Sequence, residues 1–255
     1  MLIVVLSLIG LALGPMIGIV VDRAVERERP ALTHRCPTCR SDLGRSSMAP
    51  VWSWFARCPL DAAHPVWRYP LTDVATAVLF AAGAARFGWN WELGPYLFLF
   101  GALVAMSVID LETHLLLDLL TLRTLAVGIV LVLVLSGSNG AEDHIWPALI
   151  GAGVYGGFLG AAFLAYPPGL GFGDVKLAPT LGLFLGWMTD DPLVAVRLVM
   201  YAMLLAFAAG GLVGLALNLA RNDRKAEVPM GPALALAAVV IVTISSPDLT
   251  SLLTL

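Results

Sequence analysis

An all-α membrane protein, a polytopic bundle of about eight transmembrane helices, is the fold this sequence predicts, and three observations carry that reading. Hydrophobic residues make up 59 % of the chain and charged residues 13 %, against about 45–50 % and about 25 % in soluble domains. Mean hydropathy is +0.87. Uncharged apolar stretches recur along the whole chain, and Lys and Arg gather in alternate connecting segments. That alternation is the signature of a chain threaded repeatedly through a bilayer.

Long uncharged stretches occupy residues 2–21, 93–109, 145–166 and 198–220. Crossing the hydrocarbon layer takes about 20 apolar residues, so each of these spans unaided. Shorter stretches at 74–85, 124–136, 177–189 and 228–246 reach that length with flanking residues or a tilt. The first stretch has no Lys or Arg ahead of it and no small-x-small cleavage site after it, while Arg23, Arg27 and Arg29 follow it. It therefore reads as a retained helix with its N terminus outside, not as a secretory signal.

The expected organisation is a first transmembrane helix at 1–21, a cytoplasmic cysteine-containing segment at 22–70 and a transmembrane core at 71–255. With eight spans and an external N terminus, the inner segments fall near 22–70, 110–123, 167–176 and 221–227. Of the 15 Lys and Arg residues, all but Arg86 and Arg197 lie in those segments. The outer turn at Glu142-Asp143-His144 holds none. The active face is expected on the cytoplasmic side of a plasma or inner membrane.

Residues 22–70 are rich in Arg, Pro and Ser and hold all three cysteines, Cys36, Cys39 and Cys58. His34-Arg35-Cys36-Pro37-Thr38-Cys39 reads as a knuckle turn whose two sulfurs grip one tetrahedral zinc ion, with Cys58 as a third ligand. A cysteine three residues after Cys58 would complete the set, but that position is Asp61, so His64 or Asp61 is the fourth ligand. A disulfide between Cys36 and Cys39 is the competing reading, which a reducing cytoplasm opposes.

The chemistry is carried by Gly171-Phe172-Gly173-Asp174-Val175-Lys176-Leu177, set between two apolar stretches, and by Asp110 at the end of another. An ionisable side chain near lipid costs roughly a few kcal/mol, so such residues mark functional sites. An even number of spans separates the two aspartates, which puts both at the cytoplasmic boundary. Two adjacent carboxylates cannot both ionise easily. One accepts a proton from water while the other donates to a peptide carbonyl, which is the chemistry of an aspartyl protease. Gly171 and Gly173 are expected to free the chain there from helical geometry and to let a substrate backbone approach. Lys176 belongs to the same active-site loop.

Other outlying residues have plain structural readings. Trp67, Trp89, Trp91, Trp146 and Trp187 lie near span ends, where an aromatic belt is expected, and His114 and His144 read as solvated loop residues. Gly151, Gly153, Gly156, Gly157 and Gly160 have the spacing that lets membrane helices approach closely. Asp118 is near enough in sequence to tune Asp110. No nucleotide-binding glycine loop is present, and no nucleic-acid partner is expected.

Taken together, these segments resemble the prepilin peptidases, or type IV leader peptidases, among the GxGD aspartic membrane proteases. Residues Gly171 to Leu177 fill every fixed position of a GxGDxKL motif. Asp110-Leu111-Glu112 through Asp118-Leu119-Leu120-Thr121-Leu122 resembles the family's first aspartate segment, with Leu117 where proline is usual. Arg68-Tyr69-Pro70-Leu71 resembles its entry into the second span, with Asp73 for glutamate, and Gly18, Asp22 and Arg27 fit a GxxxNxxxxR pattern with Asp22 for asparagine.

The resemblance implies Asp110 and Asp174 as the catalytic pair. It also implies cleavage of a basic leader, after a glycine, from type IV prepilins or pseudopilins of pilus and secretion systems. N-methylation of the new N terminus with S-adenosylmethionine is implied too. That function is associated with the cysteine segment, where Asp22 and Asp61 depart from the pattern and leave it open. A non-proteolytic transporter and a catalytically inactive assembly component are the alternatives.

Overall fold

The computed structural model describes residues 1–26, 68–113, 118–166, 171–221 and 230–245. The zinc-ligand expectations at Cys36, Cys39, Cys58, Asp61 and His64 lie outside the described residues. Among the described residues eight α-helices follow one another: α1 Leu2–Glu26, α2 Arg68–Phe87, α3 Leu93–Thr113, α4 Asp118–Asn139, α5 Ile145–Ala165, α6 Phe172–Gly186, α7 Pro192–Arg221 and α8 Gly231–Ile244. A short 3-10 turn, Glu142–His144, leads into α5. They form two compact units, Met1–Thr113 and His114–Leu255.

The all-helical bundle is the fold class that composition and the recurring apolar stretches predict. Among the described residues five stretches are long and apolar enough to cross a membrane: Leu2–Val21, Leu93–Thr113, Asp118–Asn139, Glu142–Ala165 and Pro192–Ala216. The short apolar runs at 74–85 and 124–136 are the middles of longer helices of 20 and 22 residues. The run at 177–189 instead gives α6, only 15 residues long. At 1.5 Å per residue that is about 22 Å, short of the hydrocarbon thickness of about 30 Å. From Leu177 to Gly186 nearly every residue of α6 is buried, so this helix is a core element of its unit.

In the first unit, α1 and α2 meet through glycine. A β-carbon on Gly10 would come 2.8 Å from the Thr76 carbonyl oxygen, and one on Gly14 would collide with Asp73. The facing side of α2 is polar and enclosed: Thr72, Asp73 and Thr76 are all buried, and the Thr76 hydroxyl donates to the Thr72 carbonyl at 2.7 Å. On the other side of α2, Phe87 stacks on Tyr96 of α3 with ring centroids 4.3 Å apart. Gly88, with φ of 59°, turns the chain out of α2 in a conformation that costs other residues energy.

In the second unit, α5 and α6 run against each other with backbones almost in contact. A β-carbon at Gly151 or Gly182 would strike the carbonyl of the other, and one at Gly186 would strike the Pro147 carbonyl. Gly156 lies against the Pro179 ring, where a β-carbon would come 2.7 Å from Cγ. Gly153 and Gly157, expected to share in this approach, have nothing within 4 Å. They lie on the opposite side of α5, because the glycines are too closely spaced to occupy one stripe of a 3.6-residue helix.

The far end of this unit corrects two further expectations. Trp187 is 2 % exposed rather than part of an aromatic belt. Its indole N–H donates to Ser136 Oγ at 2.8 Å, which satisfies the one polar atom that burial would otherwise strand. His144 is half-buried, its Nδ1 3.0 Å from the Trp187 carbonyl oxygen. α4, the turn before α5 and the end of α6 are thereby clasped together. Trp89 and Trp146 are exposed, as boundary tryptophans should be.

Gly182→Ala should lower the thermal unfolding midpoint of the detergent-solubilised protein, because overpacking a tight contact costs about 1–3 kcal/mol. Gly153→Ala, on the open side of α5, should leave it unchanged or raise it slightly.

Candidate active site

Asp174 owes its place to the start of α6. Gly171 is the N-cap, extended at φ −67° and ψ 136°, and the helix begins at Phe172. Gly173 and Asp174 are therefore already helical, which corrects the expectation that both glycines hold the chain out of helical geometry; Lys176 is likewise on the helix and not in a loop. The Asp174 N–H donates to the Gly171 carbonyl at 3.1 Å. Asp174 thus stands at the third helical position, from which a carboxylate reaches back toward the N-cap residue. Its Oδ2 would lie 3.1 Å from a β-carbon on Gly171, so a larger residue there would press on the carboxylate.

The carboxylate is 5 % exposed. Burial of a charge is costly, but the first turn of a helix presents N–H groups without intrahelical partners and the positive end of the helix dipole. Both suit an anion. Asp110 is 6 % exposed and lies in the last turn of α3, where the uncapped carbonyls point. Leu111 and Glu112 beside it are exposed, which marks this turn as the boundary between core and surroundings. Asp110 belongs to the first unit and Asp174 to the second.

Lys176, two residues beyond Asp174, is held twice. Its ammonium forms an ion pair with Asp118, the first residue of α4, and lies 4.4 Å from the centroid of the Phe172 ring one turn back. Asp118 was expected to act on Asp110; its observed partner is Lys176. Phe172 in turn packs against Phe163 of α5, with centroids 5.2 Å apart. The starts of α4 and α6 and the end of α5 therefore lie at the same end of the second unit, around Asp174.

One residue escaped the sequence reading. Tyr155 is fully buried on the stripe of α5 formed with Ala148, Gly151 and Leu159. A lone tyrosine in the apolar, glycine-rich stretch Gly151 to Gly157 was the available signal. Among the described residues no group of three or more His, Cys, Asp or Glu is placed to hold a metal ion.

Residues 97–215 match the type IV leader peptidase family, and residues 8–87 match the bacterial peptidase A24 N-terminal domain. A prepilin leader peptidase/N-methyltransferase of Myxococcus xanthus is 32 % identical over 251 residues, covering 90 % of this chain and 69 % of the relative. Proteins of the same description from Aeromonas hydrophila and Pseudomonas aeruginosa are 34 % and 32 % identical, each covering 79 % of this chain and 68 % of the relative. No solved structure matches the chain.

The Lys176–Asp118 pair generates a prediction about the start of α6. Lys176→Met and Asp118→Asn should each speed amide hydrogen exchange over Phe172–Lys176 by about two- to fivefold, since a pair with one exposed partner contributes about 0.2–1 kcal/mol. The double variant should exchange no faster than the worse single one; additive effects would mean that the two residues act separately.

Proposed function

As the chain belongs to the type IV leader peptidase family, we propose that it is an aspartic endopeptidase that removes the leader from prepilin-type substrates, with Asp110 and Asp174 as the catalytic pair. The observation that carries this reading is two carboxylates, each buried to about 95 % at the end of a helix, in a chain built of membrane-spanning segments. The ionised member takes a proton from water, whose oxygen attacks the scissile carbonyl carbon. The protonated member donates to the carbonyl oxygen. Collapse of the tetrahedral intermediate then expels the amine, which leaves with a proton. Neither step needs a covalent enzyme intermediate.

Lys176 and Asp118 hold the first turn of α6 in register, and Gly171 leaves room beside Asp174 for the substrate backbone. The distribution of Lys and Arg supports a plasma-membrane protein with the start of α1 outside and the active end facing the cytoplasm. The substrates that fit are type IV prepilins or pseudopilins, presented with a basic leader on the same side.

The cysteine segment supports two further functions. Cys36, Cys39 and Cys58, with His64 or Asp61, suit a structural zinc ion, because three thiolates and one harder ligand complete a tetrahedron. Such an ion would order residues 22–70; about one zinc per purified chain is expected, and fully active zinc-free protein would count against it. The relatives' names include N-methyltransferase, and S-adenosylmethionine would supply that methyl group. Asp22 would oppose the transfer if its charge faced the amine, since a nearby anion favours the protonated, unreactive form, whereas neutralisation by Arg23 or Arg27 would leave methylation unharmed.

Asp110→Asn and Asp174→Asn keep side-chain shape but remove the shared proton. Each should reduce cleavage of a prepilin peptide to background in protein that is correctly inserted. Mass spectrometry of the product reads both activities at once: a new N terminus after the glycine reports cleavage, and an added 14 Da, the mass of one CH₂, reports methylation. Normal cleavage by both single variants would overturn the assignment.

A further inference from the structure

We propose that Arg197 holds the phosphate of a membrane phospholipid against the open face of α7, with the lipid's acyl chains lying on the apolar side chains around it. The proposal follows from the membrane bundle and does not depend on the peptidase reading.

Arg197 stands where a cation without a counter-charge is costly. It lies within Pro192–Ala216, a stretch long and apolar enough to cross a membrane, and charged residues in such segments call for a partner. The residues three and four positions away on the helix are Leu193, Val194, Met200 and Tyr201, none of which carries a carboxylate. α7 as a whole holds no Asp or Glu. Among the described residues Arg197 makes no ion pair, hydrogen bond or ring contact. Asp191, the acid nearest along the chain, accepts the Leu193 N–H at 2.8 Å and so caps the start of α7. That start is the positive end of the helix, which gives a cation no support. Arg86, the other basic residue outside the inner segments, differs: its guanidinium lies 5.1 Å from the Phe87 ring centroid.

The face that carries Arg197 is bare of protein. Leu193, Met200, Tyr201 and Leu204 surround it at helical spacing and are all exposed, whereas Leu198, Val199 and Ala202 on the other side of α7 are buried. Depth fits the boundary between acyl chains and headgroups. The 25 residues of Pro192–Ala216 extend about 38 Å, against a hydrocarbon layer of about 30 Å. Arg197 is about 8 Å along from Pro192, so its backbone lies just inside the hydrocarbon and its long stem carries the guanidinium out to the headgroup level. Trp146, exposed at the start of α5, marks the same end of the unit. The anion at that level of a bilayer is the lipid phosphate, whose oxygens match the planar fork of a guanidinium. With the start of α1 outside, this is the outer leaflet.

The test uses the full chain in nanodiscs that hold equal amounts of phosphatidylglycerol and a glucosyl diacylglycerol with the same acyl chains and no phosphate. Leu193→p-benzoylphenylalanine photocrosslinks what lies beside Arg197, and mass spectrometry of the adduct identifies it. Phosphatidylglycerol adducts should outnumber glycolipid adducts about tenfold, within what charge-assisted hydrogen bonds contribute. Adding Arg197→Gln should bring the ratio to within about twofold of unity. A wild-type ratio near unity overturns the proposal, as does capture of protein instead of lipid. A preference that survives in Arg197→Gln overturns it too, because other basic residues then carry it. Should Arg197→Gln fail to fold, Arg197→Leu, apolar at a lipid-facing position, decides in its place by the same readings.

Discussion

A carboxylate withdrawn from water needs something in place of its hydration shell, and much of the second unit is arranged around that need at Asp174. The substitute is the first turn of α6: unpaired N–H groups and the positive end of the helix dipole, brought under the carboxylate by an extended N-cap glycine. A helix can do this for a buried group only if its own start is fixed. That requirement explains why α6 is short, why nearly all its surface from Leu177 onward is covered, and why its first turn is tied to α4 by Lys176 and Asp118.

Fixing α6 calls for close packing without a hydrophobic drive between helices, since lipid tails are as apolar as leucine. Glycine supplies it. At Gly151, Gly182 and Gly186 the backbones of α5 and α6 approach until any side chain would intrude, so dispersion contacts replace what hydrophobic burial provides in water. The far end is closed by directional bonds instead, from the Trp187 indole to Ser136 and from His144 to the Trp187 carbonyl. α6 is therefore held at both ends, by charge near Asp174 and by buried hydrogen bonds at Trp187.

Much of this was legible in the residues. The apolar stretches and the placement of Lys and Arg indicate a helical membrane bundle, and two isolated aspartates at stretch ends stand out as its candidate reactive groups, because charge near lipid is costly. Burial within the bundle was not legible. Trp187 and Trp146 both sit near stretch ends, yet one is enclosed and the other exposed, and only the neighbours of each helix face decide between them. Gly153 and Gly151 differ in the same way. Gly173 looked like a helix breaker, but two residues past an N-cap it simply begins the helix. Tyr155 gave no period or motif to notice, since its meaning lies in the helix it faces.

The central claim is that Asp110 and Asp174 together stabilise a tetrahedral intermediate. The most direct measurement is the affinity of a prepilin-type peptide whose scissile bond is replaced by a hydroxyl-bearing tetrahedral isostere, against the same peptide with a plain methylene there. The wild-type enzyme should bind the hydroxyl form at least about a hundredfold more tightly, and either Asp→Asn variant should lose that advantage. Equal affinity for the two peptides, or an advantage that survives in Asp110→Asn or Asp174→Asn, would contradict the account.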